Sequence, residues 1–263
     1  MRTDRFATAF GGAASEYERG RPSYPPAALD RLADELGLDS GSTVVDLAAG
    51  TGKLTRDLAP RFARVIAVEP LDEMRAELRR GLPEVEALAG AAEELPLDER
   101  NADAVFVAQA FHWFDGARAL AEISRVLRPR GGLGLLWNSS PWETREGPWF
   151  AGIDDLLEER RVDLATMRRH GSGLWMRAFE DARDFEPLEH ASFENVQRLP
   201  REDFLASLAS RSYIAVLEEA HRAAVLAAID AMLDREDAPV EGETVVLPLT
   251  TAVFWTRLRR PRR

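Results

Sequence analysis

The sequence predicts an α/β protein built on a doubly wound, parallel sheet with helices on both faces. Three observations carry that prediction. Between residues 41 and 138, apolar runs of strand length alternate with segments of helical period, as they do when each strand is followed by a crossover helix. The runs lack strict polar alternation, as a sheet buried on both sides requires. A glycine-bearing stretch, "VVDLAAGTGKLT" from Val44 to Thr55, follows the first run, at the strand end where such sheets bind ligands.

The elements follow in order. In the N-terminal segment, residues 1–40, "GRPSYPPAALDRLADELGL" reads as a proline-rich turn and then a helix. Leu29, Leu32, Ala33 and Leu36 share one face of that helix, and Gly37 stops it. "TVVDLA" is the first strand, and "KLTRDLAPRF" a short helix ending near Pro60. "RVIAVEP" is the second strand and "LDEMRAELRRG" the next helix. "VEALAG" and "ADAVFVAQA" are strands three and four. "DGARALAEISRVLRP" is an amphipathic helix closed by Pro129, and "GGLGLLWN" the fifth strand. Past residue 139 the pattern changes. An aromatic, turn-rich stretch precedes a charged helix from about Ile153 to Arg168, which "GSGLW" breaks. "FEPLEHASFENVQRL" reads as a strand and the segment from Arg201 to Asp234 as two helices. "ETVVLPLTTAVFWTRL" reads as a last strand bent at Pro248. The expected organisation is one domain over 1–263. Its parts are the N-terminal segment (1–40), a ligand-binding core (41–138), a lid region with a sixth strand (139–235), and a last strand with a basic tail (236–263).

Composition narrows the function classes. The formal net charge of -11 disfavours nonspecific binding to nucleic acid or to anionic membranes, whose phosphates the field repels. The basic tail Arg259–Arg263 reads as a solvated terminus. Cysteine is absent, which removes disulfides, thiolate zinc sites and cysteine nucleophiles together. The four histidines, at 112, 170, 190 and 221, are scattered without ligand spacing, so no metal site is expected. No apolar run approaches the roughly 18 residues of a membrane span, and the N-terminus lacks a signal-peptide core. A cytoplasmic protein, monomer or homodimer, is the expectation.

The glycine stretch admits several readings. A phosphate-binding P-loop needs Ser or Thr where Leu54 stands and a glycine where Leu47 stands. A dinucleotide fingerprint fits Gly50 and Gly52 but meets Thr55 at its third glycine. An adenosine-containing ligand without a phosphate asks only for a tight turn and close backbone approach. A plain structural turn is the bland alternative. Glu69 ends the second strand, where a carboxylate can accept both hydroxyls of a ribose, although nicotinamide enzymes use the same device.

At this point the residues resemble a family, the class I methyltransferases that use S-adenosylmethionine. "VVDLAAGTGKLT" resembles their glycine motif, "VIAVEP" their ribose-acid strand and "GAAEELPL" the segment bordering adenine. "ADAVFVAQAFHWF" resembles the fourth strand with its active-site loop, and "EISRVLRPRGGLGLLWN" the following helix, turn and strand. The N-terminal "YERGRPSYP" is similar to a small-molecule subgroup that includes the trans-aconitate type. The resemblance implies a Rossmann-like, seven-stranded, mostly parallel sheet with its last strand antiparallel, plus lid helices at the N-terminus and after strand five. It implies S-adenosylmethionine as cofactor, a small-molecule acceptor and transfer to oxygen.

The resemblance also implies roles. Asp46 sits near the methionine amino group, backbone of Ala48, Gly50 and Gly52 lines the methionine end, and Glu69 holds the ribose. Pro70, Leu71 and Met74 cover an adenine face, with core packing the alternative for Met74. Ala92 and Glu93 border the base edge, and Gln109 faces the methionine portion. The family usually has glycine at Ala48, where alanine fits if φ is negative, and often Asp at Ala91, whose contact here falls to backbone or Glu93. For the acceptor, the candidates are Tyr17, Arg21, Tyr24, His112, Trp113, Trp137, Asn138, Arg211 and Tyr213. His112 is the candidate general base or hydrogen-bond donor. Phe111, Trp113 and Phe114 cannot all face one way, and Asp115 reads as the N-cap of the next helix. A nicotinamide-dependent oxidoreductase and a non-catalytic binder of the same cofactor are the rival functions.

Overall fold

Runs rich in valine, alanine and leucine form the first five strands. These are β1 (Thr43–Leu47), β2 (Arg64–Val68), β3 (Glu86–Leu88), β4 (Ala102–Ala108) and β5 (Leu127–Ser139). In this computed structural model the described residues are 20–144, 147–160, 162 and 173–259. Tyr17, His170, the segment 163–168 and the basic tail 260–263 lie outside them. Helix α1 (Pro26–Leu36) precedes β1, and α2 (Lys53–Leu58), α3 (Asp72–Gly81) and α4 (Gly116–Val126) follow β1, β2 and β4. Further along come β6 (Glu189–Pro200), β7 (Val240–Glu241) and β8 (Thr244–Arg257). The sheet order is β3-β2-β1-β4-β5-β8-β6, with β7 paired antiparallel to β8. β1 pairs parallel with β2 and β4, β2 with β3, and β4 with β5. The sheet is therefore mixed: parallel through its first five strands, with antiparallel strands from the C-terminal part.

Adjacent residues of each strand supply opposite faces, which is why the sequence shows no polar alternation. Val45, Leu47, Ile66, Val68, Val105 and Val107 pack with Ala119, Leu120 and Ile123 of α4. Their neighbours Val44, Val65, Ala104 and Phe106 pack on the other side with Leu29, Leu32 and Leu36 of α1 and Leu54 and Leu58 of α2. Proline at the first helical position starts α1, and Gly37 ends it in the left-handed conformation at φ 61°. Register then sets the site. Leu47 lies opposite Val68 and Asp46 opposite Phe106, so Asp46, Glu69 and Gln109 emerge at the same sheet edge.

Several boundaries differ from the sequence expectation. α4 stops at Val126, because Pro129 disfavours a helical Arg128, and Leu127–Pro129 join β5 instead. The helix expected from Ile153 begins at Pro148 and forms α6 (Pro148–Glu159), after a single turn α5 (Pro141–Thr144). A further turn, α7, spans Arg177–Glu180. The two helices expected after residue 200 are three: α8 (Arg201–Ala209), α9 (Ser212–Ala215) and α10 (Glu219–Met232). β7 was not anticipated, since a two-residue strand leaves no periodicity. It is tied to β8 by a turn at Gly242, φ 64°.

The chain divides into two compact units. The first holds Ser23–Asn138, Ser172–Phe193 and the described part of Thr251–Arg263. The second holds the described parts of Met1–Pro22 and Ser139–Gly171, together with Glu194–Thr250. Its core gathers Trp142, Trp149, Phe204, Leu208, Ile214, Val225 and Ile229, with the Trp149 indole donating to the Met232 carbonyl at 2.9 Å. No helix among the described residues is long and apolar enough to cross a membrane.

Gly132 marks the tightest packing of β5 in the first unit. A Cβ there would lie 2.4 Å from Leu36 Cδ2 and 3.0 Å from the Thr256 carbonyl. Gly132→Ala is therefore expected to lower unfolding free energy by about 1–3 kcal/mol in a denaturant titration, without touching the site described next.

Candidate cofactor site

Three elements of the first unit build the site: the turn after β1, the tip of β2 and the tip of β4. The turn is bent by Ala48, Gly50 and Gly52, at φ 59°, 58° and 89°. The two glycines serve different ends. A Cβ on Gly52 would strike Leu78 Cγ of α3 at 2.9 Å, so this glycine lets helix and turn pack. A Cβ on Gly50 would meet nothing within 4 Å, so its bareness faces open space. Ala48 does not meet the condition for an easy fit: it stands at positive φ and carries the left-handed penalty of about 1–2 kcal/mol.

Asp46 is 1% exposed. Its Oδ2 accepts the Thr55 hydroxyl at 2.6 Å, while Oδ1 is buried without a partner. Burial, reinforced by the charge of Glu69, raises its pKa from 3.8 to about 7 against the pull of the Thr55 hydrogen bonds. Thr55, read in the sequence only as a missing third glycine, thus holds the carboxylate. Glu69 is also buried, and burial raises its pKa. Its Oε2 accepts the Gly50 N–H at 2.8 Å and its Oε1 the Leu71 N–H at 2.9 Å. Arg75, which sequence reasoning passed over, donates from Nη1 to the Glu69 carbonyl at 2.7 Å. Each Glu69 oxygen retains a second lone pair, and these are what a ribose diol needs.

Pro70 is exposed, Leu71 half-buried, and Met74 and Ala92 are buried. Glu93 accepts the Asp115 N–H at 2.9 Å, so this carboxylate braces the start of α4. Gln109, at φ 59°, donates from its side chain to the Asn138 carbonyl at 3.2 Å, tying the tips of β4 and β5.

After Gln109, Phe111–Trp113 form one 3₁₀ turn. Phe111 turns inward among Phe114, Trp175 and Phe179, while His112 and Trp113 stay half-buried. Asp115 caps α4 by accepting the Arg118 N–H at 3.3 Å. The Trp137 indole N–H points at His112 Nδ1 at 3.4 Å. That bond requires the neutral tautomer with its proton on Nε2.

The other acceptor candidates divide. Trp137 is a core side chain stacked on Trp175, with ring centroids 4.6 Å apart. Asn138 donates to the Ser23 carbonyl at 3.3 Å and accepts the Thr251 hydroxyl. Tyr24 is buried in the apolar layer beneath α1, its backbone N–H on Asp57. All three are engaged within the fold. Arg21, half-buried, belongs to the second unit with Arg211 and Tyr213. Arg211 donates from Nη2 to the Ser140 hydroxyl at 2.8 Å and pairs through Nη1 with Glu143 at 3.3 Å. Tyr213 accepts the Trp142 indole N–H at 3.3 Å.

A bare left-handed turn, an orphaned buried carboxylate oxygen beside it and a carboxylate on the neighbouring strand are suited to an adenosine ligand that brings a cation and no phosphate. Residues 45–135 match a family described as "Methyltransferase domain". An uncharacterized methyltransferase of Mycobacterium tuberculosis is 47% identical over 168 residues, covering 61% of this chain and 68% of the relative. An uncharacterized methyltransferase-like protein of Schizosaccharomyces pombe is 36% identical over 219 residues, covering 82% of each. Among solved structures, one described as a type II methyltransferase from Anaeromyxobacter dehalogenans superposes with a TM-score of 0.63 at 24% identity, covering 92% of this chain and 99% of that one. The chain belongs to the class I S-adenosylmethionine-dependent methyltransferases. S-adenosylmethionine is its cofactor, and the residues present fit that group: the orphaned Asp46 oxygen suits an ammonium, and the open side of Gly50 suits close approach.

Two predictions follow from the geometry. Ala48→Gly relieves the left-handed strain and is expected to raise unfolding free energy by about 1 kcal/mol, whereas Gly50→Ala costs a similar amount and also weakens cofactor affinity. Denaturant titrations and calorimetry separate the two effects. The second concerns pH. Native Asp46 keeps a proton that the unfolded chain gives up above its ordinary 3.8, so stability falls as pH rises from about 4 to about 7 and then levels. Glu69, also raised, slopes the same way. Asp46→Asn is expected to flatten most of that slope in unfolding curves between pH 4 and 8, a span worth up to about 4 kcal/mol.

Proposed function

We propose that the protein transfers the cofactor's methyl group to a small-molecule acceptor, at oxygen, with Asp46 holding the methionine ammonium and Glu69 the ribose hydroxyls. The observation that carries this is the pair of buried carboxylates, one with an oxygen lacking any partner and one pinned to Gly50 and Leu71. When bound, the cofactor supplies a sulfonium-activated methyl carbon whose departure as a thioether needs no acid. The chain's task is then to align and to exclude water. Phe111 and its aromatic neighbours give the loop after β4 a dry backing. His112, with Nδ1 accepting from Trp137, carries its proton on Nε2, so Nδ1 is not the base. A donor orients a carboxylate oxygen, and that nucleophile is already ionised near pH 7. On this reading, transfer to oxygen needs no base.

Calorimetry with S-adenosylmethionine and with NAD tests the cofactor half. The first is expected to bind and the second not. Affinity is expected to fall about tenfold per pH unit below 7, because the ammonium competes with the Asp46 proton. Glu69→Gln and Asp46→Asn are each expected to lose at least tenfold in affinity. A screen of hydroxyl, carboxylate and amine acceptors read by S-adenosylhomocysteine release tests the acceptor half. Turnover confined to amines defeats the oxygen assignment.

A further inference from the structure

The segment 90–97, between β3 and β4 in the first unit, is held in a way that neither the two acids nor the aromatic loop accounts for. It leaves the sheet beside Glu69. Leu88 lies opposite Val68, and its carbonyl accepts the Glu69 N–H at 3.0 Å. A Cβ on Gly90 would lie 3.1 Å from Val68 Cγ1 and 2.5 Å from Pro96 Cδ, so the chain folds back on itself at the tip of β2. Its own pairing is one bridge, Ala91 to Glu94, with the Glu94 N–H on the Ala91 carbonyl at 3.2 Å. Ala92 and Leu95 are buried in the core that α4 shares.

The remaining ties come from α4. Glu122 Oε2 accepts the Leu95 N–H at 2.8 Å. Arg125 donates from Nη2 to the Leu95 carbonyl at 3.0 Å and from Nη1 to the Leu97 carbonyl at 2.8 Å. The two side chains also grip each other, Nε to Oε1 and Nη2 to Oε2, each at 2.8 Å. Bidentate pairing fixes the guanidinium plane, and the fork so placed reaches two carbonyls at once. At the start of the helix, Glu93 Oε1 accepts the Asp115 N–H at 2.9 Å. A partly exposed ion pair adds little to stability by itself. What this pair provides is a fixed path for the backbone on its far side. A base is read by hydrogen bonds along one edge, and such a wall must hold its place to within about 0.5 Å.

We propose that Glu122 and Arg125 are positioning residues for the adenine end of the cofactor. Acting from α4, they hold the path of residues 91–97 and with it the edge that reads the base. This rests on the reading of Ala92 and Glu93 as the residues bordering that base. The part read is the 6-amino group, a donor, which meets the acceptors of this segment: its backbone carbonyls and the Glu93 carboxylate, of which Asp115 takes one oxygen.

The test titrates the full chain by calorimetry with S-adenosylhomocysteine and with S-inosylhomocysteine, whose base carries a 6-oxo group in place of the 6-amino group. The readout is the ratio of the two affinities. The wild type is expected to prefer the adenosine compound at least tenfold. The double variant Glu122→Gln/Arg125→Met, which leaves no carboxylate unpaired, is expected to lose most of that preference. Arg125→Lys is expected to lose it too, because an ammonium keeps the charge but cannot span a carboxylate and two carbonyls. Its milder change keeps the test alive should the double variant fail to fold. Gly132→Ala, destabilised elsewhere in the same unit, is the control for stability alone and is expected to keep the ratio. A ratio unchanged in the folded clamp variants, or lost equally in Gly132→Ala, overturns the inference. Failure of the wild type to bind S-adenosylhomocysteine defeats the proposed function itself. Equal wild-type affinity for both compounds defeats the base-edge reading, and the inference with it. A wild type that discriminates beside variants that discriminate equally well defeats this inference alone.

Discussion

The site depends on one side chain, the Glu69 carboxylate. It stands at the tip of β2 and receives one amide from the turn after β1 and one from the residue leading into α3. The turn after β1 and the β2–α3 junction, separated in sequence, are thereby held at one edge of the sheet. Parallel pairing alone brings the strand tips level, since Leu47 lies opposite Val68. It does not shape the turn. Gly50 is shaped by the bond its amide makes to Glu69, and that bond exists because a buried carboxylate must find donors. The acid therefore shapes the turn through its own hydrogen bond.

Two carboxylates buried side by side are an unfavourable arrangement for the protein alone. Burial raises the pKa of both, and the charge of Glu69 raises Asp46 further. The Leu71 and Gly50 amides, and after them the charge of Arg75, offset part of this for Glu69. Asp46 has only Thr55, through its hydroxyl and its backbone, and Oδ1 has no partner among the described residues. The electrostatic cost is concentrated on the carboxylate that the proposed reading turns toward a cation of opposite charge.

Much of this was legible in the sequence, and the parts that were not share a cause. The strands and the glycine turn announce themselves because periodicity and side-chain size are local properties. Glu69 announces itself by closing an apolar run. Thr55, Arg75, Ser140 and Glu143 do not, because each matters through a partner distant in sequence or on another element, and nothing local marks a hydroxyl as the donor to a particular carboxylate. The φ of Ala48 escaped for a related reason. Residue identity argues for negative φ, and the turn geometry imposed by Gly50 and Gly52 overrides it. Pro129 was read as the end of a helix that had already ended three residues earlier, since the constraint acts on the residue before proline.

The aromatic loop shows why residue type alone misleads about acceptor contacts. Phe111, Trp137 and Trp175 form one packed cluster, so most of the aromatic surface that looks like a pocket wall is core. Yet the cluster reaches the loop after β4 through a polar atom of Trp137. Trp137 is buried and its indole N–H needs an acceptor, which His112 Nδ1 provides. That requirement selects the His112 tautomer and removes Nδ1 as a base. The packing of a tryptophan thus sets the proton position of a histidine on the neighbouring strand's loop.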